Sequence, residues 1–369
     1  MLYDGFFTRS EVERLDNAQL VRYYELLGSA EEIALETLTA YQDVRRQREL
    51  VQLAQEIYQE HLDVKAQVEE SSRAGVARGA DLEQINARVA LSRSNLVTEI
   101  SNLHDVSARY LRIVGQSPAE QLEPIALDDS ALPSDLSGAM KLAYEGNPTF
   151  RAALRDIESS RAAVESQRAA YHPRLNLNAS YGVDNRDDFG VRENQRDARI
   201  GLELRFNLYN GGSDRAAVKS AAEQLNVAKS LRDKACVDMR QELQIAYNDV
   251  RKLSDQVETL NNYRLSADRV RVAYRNQFRI GQRTLLDVLD SENEYFQASR
   301  SYVNAQADRR VAIARALASS GRLLEALEVR RSGLPSLADL GADRLPVDPE
   351  TACPSVDIAM NLPEVPRER

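Results

Sequence analysis

The chain repeats itself at a distance of 206 positions, Leu208 standing against Leu2. At that single offset the two halves align without a gap from Leu2 to Gly115. Leu2, Tyr3, Gly5 and Val12 meet Leu208, Tyr209, Gly211 and Val218. Ala40-Tyr41 and Asp43-Val44 meet Ala246-Tyr247 and Asp249-Val250, and Gly75, Asp81 and Gly115 meet Gly281, Asp287 and Gly321. A constant offset held over so long a stretch marks a duplicated unit rather than shared helical composition. Whatever one copy builds, the fold must build twice.

Each copy is written as long helices. In the second, Met239, Leu243, Ala246, Val250, Leu253, Val257 and Leu260 recur at spacings of four and three, the seam of a left-handed coiled coil. Their counterparts Ile33, Thr37, Ala40, Val44, Gln47, Val51 and Ala54 keep the stripe with smaller or more polar members. A helix from about Ser213 to Phe278 is roughly 100 Å long at a rise of ~1.5 Å per residue, too long to be buried inside a globule. Each rod stops at a glycine, in "RAGVARGADLEQ" at Gly75 and in "RIGQRTLLDVLD" at Gly281. Glycine takes left-handed backbone angles at little cost, and Asp81 or Thr284 then suits the start of a returning helix. Returning helices over about 80–114 and 284–320 make each half a helical hairpin.

Two stretches between the hairpins alternate instead. "PRLNLNASYGVD" puts Leu175, Leu177, Ala179, Tyr181 and Val183 on one face against Asn176, Asn178, Ser180 and Gly182. "ARIGLELRFNLYNGG" sets Ile200, Leu202, Leu204, Phe206 and Leu208 against Arg199, Gly201, Glu203, Arg205 and Asn207. Period two over about ten residues is the pattern of a tilted strand in an outer-membrane barrel, apolar to lipid and polar to a watery lumen. It is equally the pattern of a small two-stranded sheet over a core. Position decides for lipid, because the neighbouring long helices offer no core to cover the apolar face. The polar "DNRDDFGVRENQRD" between the stretches reads as a surface loop.

Composition removes other function classes. A net charge of -9 with no cluster of Lys and Arg excludes a nucleic-acid surface. His61, His104 and His172 are scattered with no acidic or thiol neighbour at ligand spacing, so neither a metal site nor a catalytic group is expected, and no cofactor. Cys236 and Cys353 fit neither a metal spacing nor a disulfide framework. No stretch approaches the ~18 apolar residues of a spanning helix, and the N-terminus lacks the pattern of a signal peptide. "MLYDGF" matches the end of the strand that leads into "NGG", so the chain is expected to begin inside a first-half strand, with the preceding strand, helix and signal peptide missing. A barrel short of those strands leaves unpaired edges that lipid cannot satisfy, so this form alone is expected neither to insert nor to export.

At "NPTFRAALRDIESSRAAVESQRAAYHPRLNLNASYG", "LELRFNLYNGG", "FRIGQRTLLDVLDSENEYFQASRSYVNAQ" and "SSRAGVARGADLEQINARVALSRSNLV" the sequence resembles the TolC-like family of outer-membrane channels, the exit ducts of type I secretion and drug efflux. The likeness runs from Leu2 to about Leu324. In the first half, "YDGFFTRSEVERLD" and "SNLHDVSARYLRIVG" look most like the secretion-associated branch, including exporters of adhesins. The resemblance implies a mainly α fold with a small β part. Coiled-coil hairpins close into an α-barrel when trimeric, and antiparallel strands form a shared β-barrel. It divides the chain into a strand remnant (1–3), a first hairpin (4–115), an equatorial segment (116–147), a periplasmic helix (148–171), two strands with a loop (172–209), a second hairpin (210–321) and an equatorial or C-terminal tail (322–369), partly disordered.

The same resemblance implies a homotrimer in the outer membrane of a Gram-negative cell, with a long periplasmic extension. Its partners would be a periplasmic adaptor and an inner-membrane ABC or proton-driven transporter, which supplies the energy, so the duct itself is no enzyme. It assigns Asp287 and Asp290 to an acidic ring at the entrance. Asp81, Arg283 and Phe278 match positions that hold the entrance closed. The hairpin tips, with Gly75, Val76, Gly281 and Gln282, would meet the adaptor. A plainer role competes at two of these positions. Asp81 and Asp287 fall in the first turn of a helix, where a carboxylate caps free N–H groups and is worth about 0.3–1 kcal/mol to the helix dipole. The rival functions are a periplasmic adaptor, which needs compact β-rich domains around a single hairpin, and a purely structural coiled coil, which has no use for membrane-length strands.

Overall fold

The computed structural model describes the whole chain except residues 76–77, 126, 128–131, 134, 189–190, 330–332, 342–346 and 355–369. Its elements are α1 (Phe7–Arg73), α2 (Gly79–Val114), α3 (Leu136–Gly146), α4 (Pro148–Arg168) with a 3-10 turn (Ala169–Tyr171), β1 (Arg174–Asp188), β2 (Val191–Arg205), α5 (Ser213–Arg279), α6 (Leu285–Ser319), α7 (Leu323–Ala326) and α8 (Pro349–Ala352). The duplication is plain in the helices. α1 and α5 are both 67 residues long, and α2 and α6 are 36 and 35. The chain divides into two compact units, one of 1–28, 144–239 and 332–369, the other of 29–143 and 240–331.

In the first unit α4 opens with Pro148 at a helix start, where its missing N–H costs nothing, and with the Asn147 side chain accepting from Phe150 N at 2.8 Å. Leu20, Tyr24 and Ala152 form a small core on which Leu337 and Leu340 pack, and the Arg151 guanidinium lies 5.3 Å from the Tyr24 ring centre. Gly5 is required twice over: its φ is +70°, and a side-chain carbon there would sit 2.8 Å from the Ala169 carbonyl and 2.6 Å from His172 Cβ. The turn at Gly5 lets the residues before it run beside β1. Tyr3 bridges antiparallel to Leu175, with Leu175 N donating to Tyr3 O at 2.8 Å.

β1 and β2 pair antiparallel through fifteen steps, from Arg174 opposite Arg205 to Asp188 opposite Val191. The polar stretch read as a surface loop is therefore largely strand. Alternation of apolar and polar side chains ends near Val183, but the backbone ladder does not depend on it, so the polar residues extend the hairpin.

The second unit packs the two copies together. Ala40 and Val44 of α1 meet Val106 and Tyr110 of α2, while Leu38 packs with Ala246 and Val250 of α5 and Ile313 and Leu317 of α6. Along α2 the buried residues Ile85, Ser92, Glu99 and Val106 step by seven, the coiled-coil interval. The expected seam of α5 is buried from Met239 to Leu253. Its counterpart in α1 holds from Ala40 to Ala54 but fails at Ile33, which is 59% exposed. At that level Glu31 and Leu38, again seven apart, form the buried face, because α7 covers their side.

Equivalent residues of the two copies do equivalent work. Tyr41 donates to the Glu123 carbonyl at 2.6 Å and Tyr247 to the Pro133 carbonyl at 3.1 Å, so matched tyrosines hold the same connecting segment. Asp43 pairs with Arg46, and Asp249 with Lys252, each at 2.6 Å. Glu31 has no such twin role. Its carboxylate accepts from Leu323 N at 3.0 Å and Leu324 N at 3.4 Å at the start of α7. Burial outweighs those two bonds and raises its pKa from 4.5 to about 7. The folded state thus holds this proton more tightly than the unfolded one, so the group's contribution to stability is full below pH ~4.5 and is lost as pH rises to about 7. Glu31→Gln is expected to flatten the pH dependence of the unfolding midpoint in that window by about 2–3 kcal/mol. An unchanged slope would contradict the assignment.

Candidate functional site

Two regions concentrate the residues singled out by the sequence. The first is the face of the β-hairpin. Directly opposed residues of an antiparallel pair share a face, and the register opposes Leu175 to Leu204, Leu177 to Leu202 and Ala179 to Ile200. The two apolar stripes therefore merge into one surface. Arg174, Asn176, Asn178 and Ser180 stand opposite Arg205, Glu203, Gly201 and Arg199 on the other.

No part of the described chain covers the apolar surface: Ile200 is 83% exposed, Leu202 68%, Leu204 69% and Tyr181 69%. Leu177, Phe206 and Leu208 are exposed as well, the last two beyond the end of β2, and Leu175 is half-buried near the bridge to Tyr3. A contiguous apolar sheet face of this kind is a contact surface for something else. From Leu175 to Val183 the stripe extends about 26–27 Å along the strand. At the ~40° tilt of barrel strands that becomes about 20–21 Å, within the ~25 Å apolar band of outer-membrane barrels. Among the described residues no helix is long and apolar enough to cross a membrane.

The second region is the pair of helical turns at the ends of α1 and α5. Gly75 and Gly281 have φ of +76° and +77°, with nothing within 4 Å of a would-be side chain, so backbone angle alone demands glycine at both. At Gly281 the reversal is a Schellman turn, Gly281 N donating to Phe278 O and Gln282 N to Gln277 O, both at 2.9 Å. Val76 lies outside the described residues.

After this turn, Thr284 and Asp287 form a reciprocal cap. Asp287 N donates to Thr284 Oγ1 at 3.3 Å, and Thr284 N donates to Asp287 Oδ2 at 3.1 Å. The bonds from Thr284, with Arg283 3.9 Å away, hold the Asp287 carboxyl below its ordinary pKa. At α2 only half of this arrangement exists: Asp81 accepts from Arg78 N at 3.3 Å, and the Arg78 side chain, having no acceptor, returns no bond.

The remaining residues at these turns have equally definite places. The Arg283 guanidinium lies 4.1 Å from the Tyr274 ring centre and donates from Nε to Gln277 Oε1 at 3.0 Å. Phe278 packs into a core with Val64, Val68, Ile85, Leu285 and Leu289. Asp290, 61% exposed, is 3.5 Å from Arg88 of α2. Asp287 and Asp290 thus stand on neighbouring turns of α6, one engaged in a cap and one open to solvent.

Sequence reasoning missed a buried ionic cluster near these turns. Glu292 of α6 is fully buried and meets Arg275 at 2.5 Å and Arg271 at 3.5 Å, and Arg275 also reaches Glu60 of α1 at 2.7 Å. Charged residues in a charge-rich helix look solvated when read singly. The repeat carried the signal, because the positions matching Arg271, Arg275 and Glu292 are Lys65, Glu69 and Asn86, which cannot make the same cluster.

Residues 139–322 match the family model described as outer membrane efflux protein. The outer membrane efflux protein BepC of Brucella suis is 24% identical over 88% of this chain and 70% of its own length. The alkaline protease secretion protein AprF of Pseudomonas aeruginosa is 24% identical over 81% of this chain and 63% of its own. The fold is that of the outer membrane protein VceC from Vibrio cholerae, with a TM-score of 0.71 at 20% identity over 88% of this chain and 77% of that one. The chain spans about two thirds of the length of these curated relatives.

Proposed function

The chain belongs to the outer membrane efflux protein family, and from that premise we propose that it serves as the outer-membrane exit duct of a tripartite export system, without enzymatic activity of its own. The observation that carries this reading is the uncovered apolar face of the β1–β2 hairpin, with an opposite face of Arg, Asn, Ser and Glu suited to water. One face takes bilayer hydrocarbon and the other a wet lumen. Three copies close the barrel, and their paired helices extend into the periplasm. There the turns at Gly75 and Gly281 engage an adaptor protein, and an ABC or proton-driven transporter in the inner membrane drives the cargo. The relatives include an efflux protein and a protease secretion protein, and the reading is of an export duct for cargo of either kind.

In this reading Asp287 and Asp290 form the entrance ring. Three-fold symmetry multiplies each carboxylate, and a ring of carboxylates at a constriction attracts cations. Asp290 is open to solvent and makes the larger contribution, whereas Asp287 is shared with the α6 cap. Asp81, Arg283 and Phe278 hold the helix ends in register around it. Conductance across planar bilayers containing the protein with a complete set of barrel strands tests this, since a form short of strands is expected not to insert. We expect a cation-preferring channel in which Asp290→Asn lowers the cation-to-anion permeability ratio several-fold and Asp287→Asn lowers it less. No conductance would contradict the duct, and an unchanged ratio in both variants would contradict the ring.

A further inference from the structure

We propose that the Cys236–Cys353 disulfide is a required cross-link, made by a thiol–disulfide oxidoreductase in an oxidising compartment, that fastens the C-terminal segment onto α5. The sequence contains no other cysteine, and the two lie 117 positions apart with Cα atoms 5.7 Å from each other. The expectation that they fit no disulfide is thus corrected. This inference rests on the pair itself and not on the duct reading.

What makes the bond matter is how exposed the described part of that segment is, and how large a loop the bond closes. Of residues 333–341, 347–348 and 351–354, only Ala352 and Cys353 are buried. Ties among the described residues include Tyr23 donating to the Pro335 carbonyl at 2.8 Å and the half-buried Leu337 and Leu340 against Leu20 and Tyr24. Among the described residues beyond Leu340, Val347 is exposed. A four-residue helix such as α8 cannot persist on its own propensity. The cross-link, by contrast, closes a loop containing the rest of α5, all of α6 and the residues after it. A loop of that size removes much conformational freedom from the unfolded chain.

Cys236 is 4% exposed and Cys353 fully buried, so an enzyme can reach the sulfurs only before the segment has packed. One cysteine thiolate attacks the oxidoreductase disulfide to form a mixed disulfide, and the second thiolate displaces the enzyme. The two cysteines give up two protons and two electrons, and the oxidoreductase leaves as a dithiol. Cytosolic glutathione and thioredoxin keep thiols reduced, so residues 236 and 353 mature outside the cytosol.

The test is maleimide labelling of protein isolated from cells with and without their extracytoplasmic thiol oxidase, denatured before or after reduction. In proficient cells we expect no adduct without reduction and two with it. In deficient cells, or in the Cys236→Ala/Cys353→Ala variant, trypsin should cleave the C-terminal segment at least tenfold faster, or the protein should fail to accumulate in both. Two adducts without reduction in proficient cells would overturn the proposal. So would trypsin cleavage of the double variant within twofold of the wild type.

Discussion

Leu202→Arg, in a chain with a complete set of barrel strands, is expected to remove most of the folded protein from the outer-membrane fraction. Leu202 sits opposite Leu177 in the middle of the apolar surface and is 68% exposed. A substitution at so exposed a site disturbs little packing within the chain, so in water it would be nearly neutral. Against hydrocarbon the same arginine costs about 2–4 kcal/mol, and even the lower value is a drop of about 30-fold in the equilibrium constant for the folded, inserted state. The control is its neighbour in β2. Glu203→Lys changes the charge by more, yet Glu203 pairs with Asn176 on the other face, and insertion should stay within about twofold of the wild type by the same reasoning. Quantifying both variants by fractionation and heat-modifiable mobility separates a lipid-facing surface from a merely exposed one.

The second large effect lies in the buried ionic cluster. Arg275→Met leaves the fully buried Glu292 with only Arg271, 3.5 Å away, and deprives Glu60 of its partner. Burial already pushes the Glu292 pKa up against the pull of both arginines. Removing one end of such a pair costs about 3–5 kcal/mol, because the charge that remains is buried and unpaired. A loss of about 3 kcal/mol is expected here, since Arg271 remains. It is read as the shift in a denaturant midpoint measured in detergent. Glu292→Met combined with Arg275→Met should recover much of that loss, since apolar replacement of both partners removes the desolvation cost together with the attraction. A single-variant loss under about 1 kcal/mol would show that the cluster is solvated and not structural.

Much of this fold was legible in the sequence because two kinds of order were written in it. The duplication fixed the lengths of α1 and α5 together, and Gly75 and Gly281 marked their ends for a backbone reason that the positive φ angles show. Thr284 and Asp287 spelled a cap that the hydrogen bonds of α6 display. The alternation through Leu175 to Val183 and Ile200 to Leu204 named the face that stands uncovered.

What escaped was order that exists only in three dimensions. The pairing of Cys236 with Cys353 spans 117 positions and leaves no local trace. The outer part of the hairpin, beyond Val183, carries polar residues on both faces, so period two disappears while the ladder continues. Ile33 is apolar and in register yet exposed, because its neighbours Glu31 and Leu38 face the covering α7 instead. Glu31, Glu99 and Glu292 are buried carboxylates, and nothing in a charged letter announces a partner on another helix.

The central claim is that one face of the β1–β2 hairpin touches hydrocarbon and the other touches water. Spin labels placed singly at residues 200 to 205 in membrane-embedded protein test it directly, through collision with oxygen dissolved in lipid and with a water-soluble nickel chelate. We expect strict alternation, with Ile200, Leu202 and Leu204 reached by oxygen and Gly201, Glu203 and Arg205 by the chelate. Uniform access to the chelate at all six positions would contradict the account.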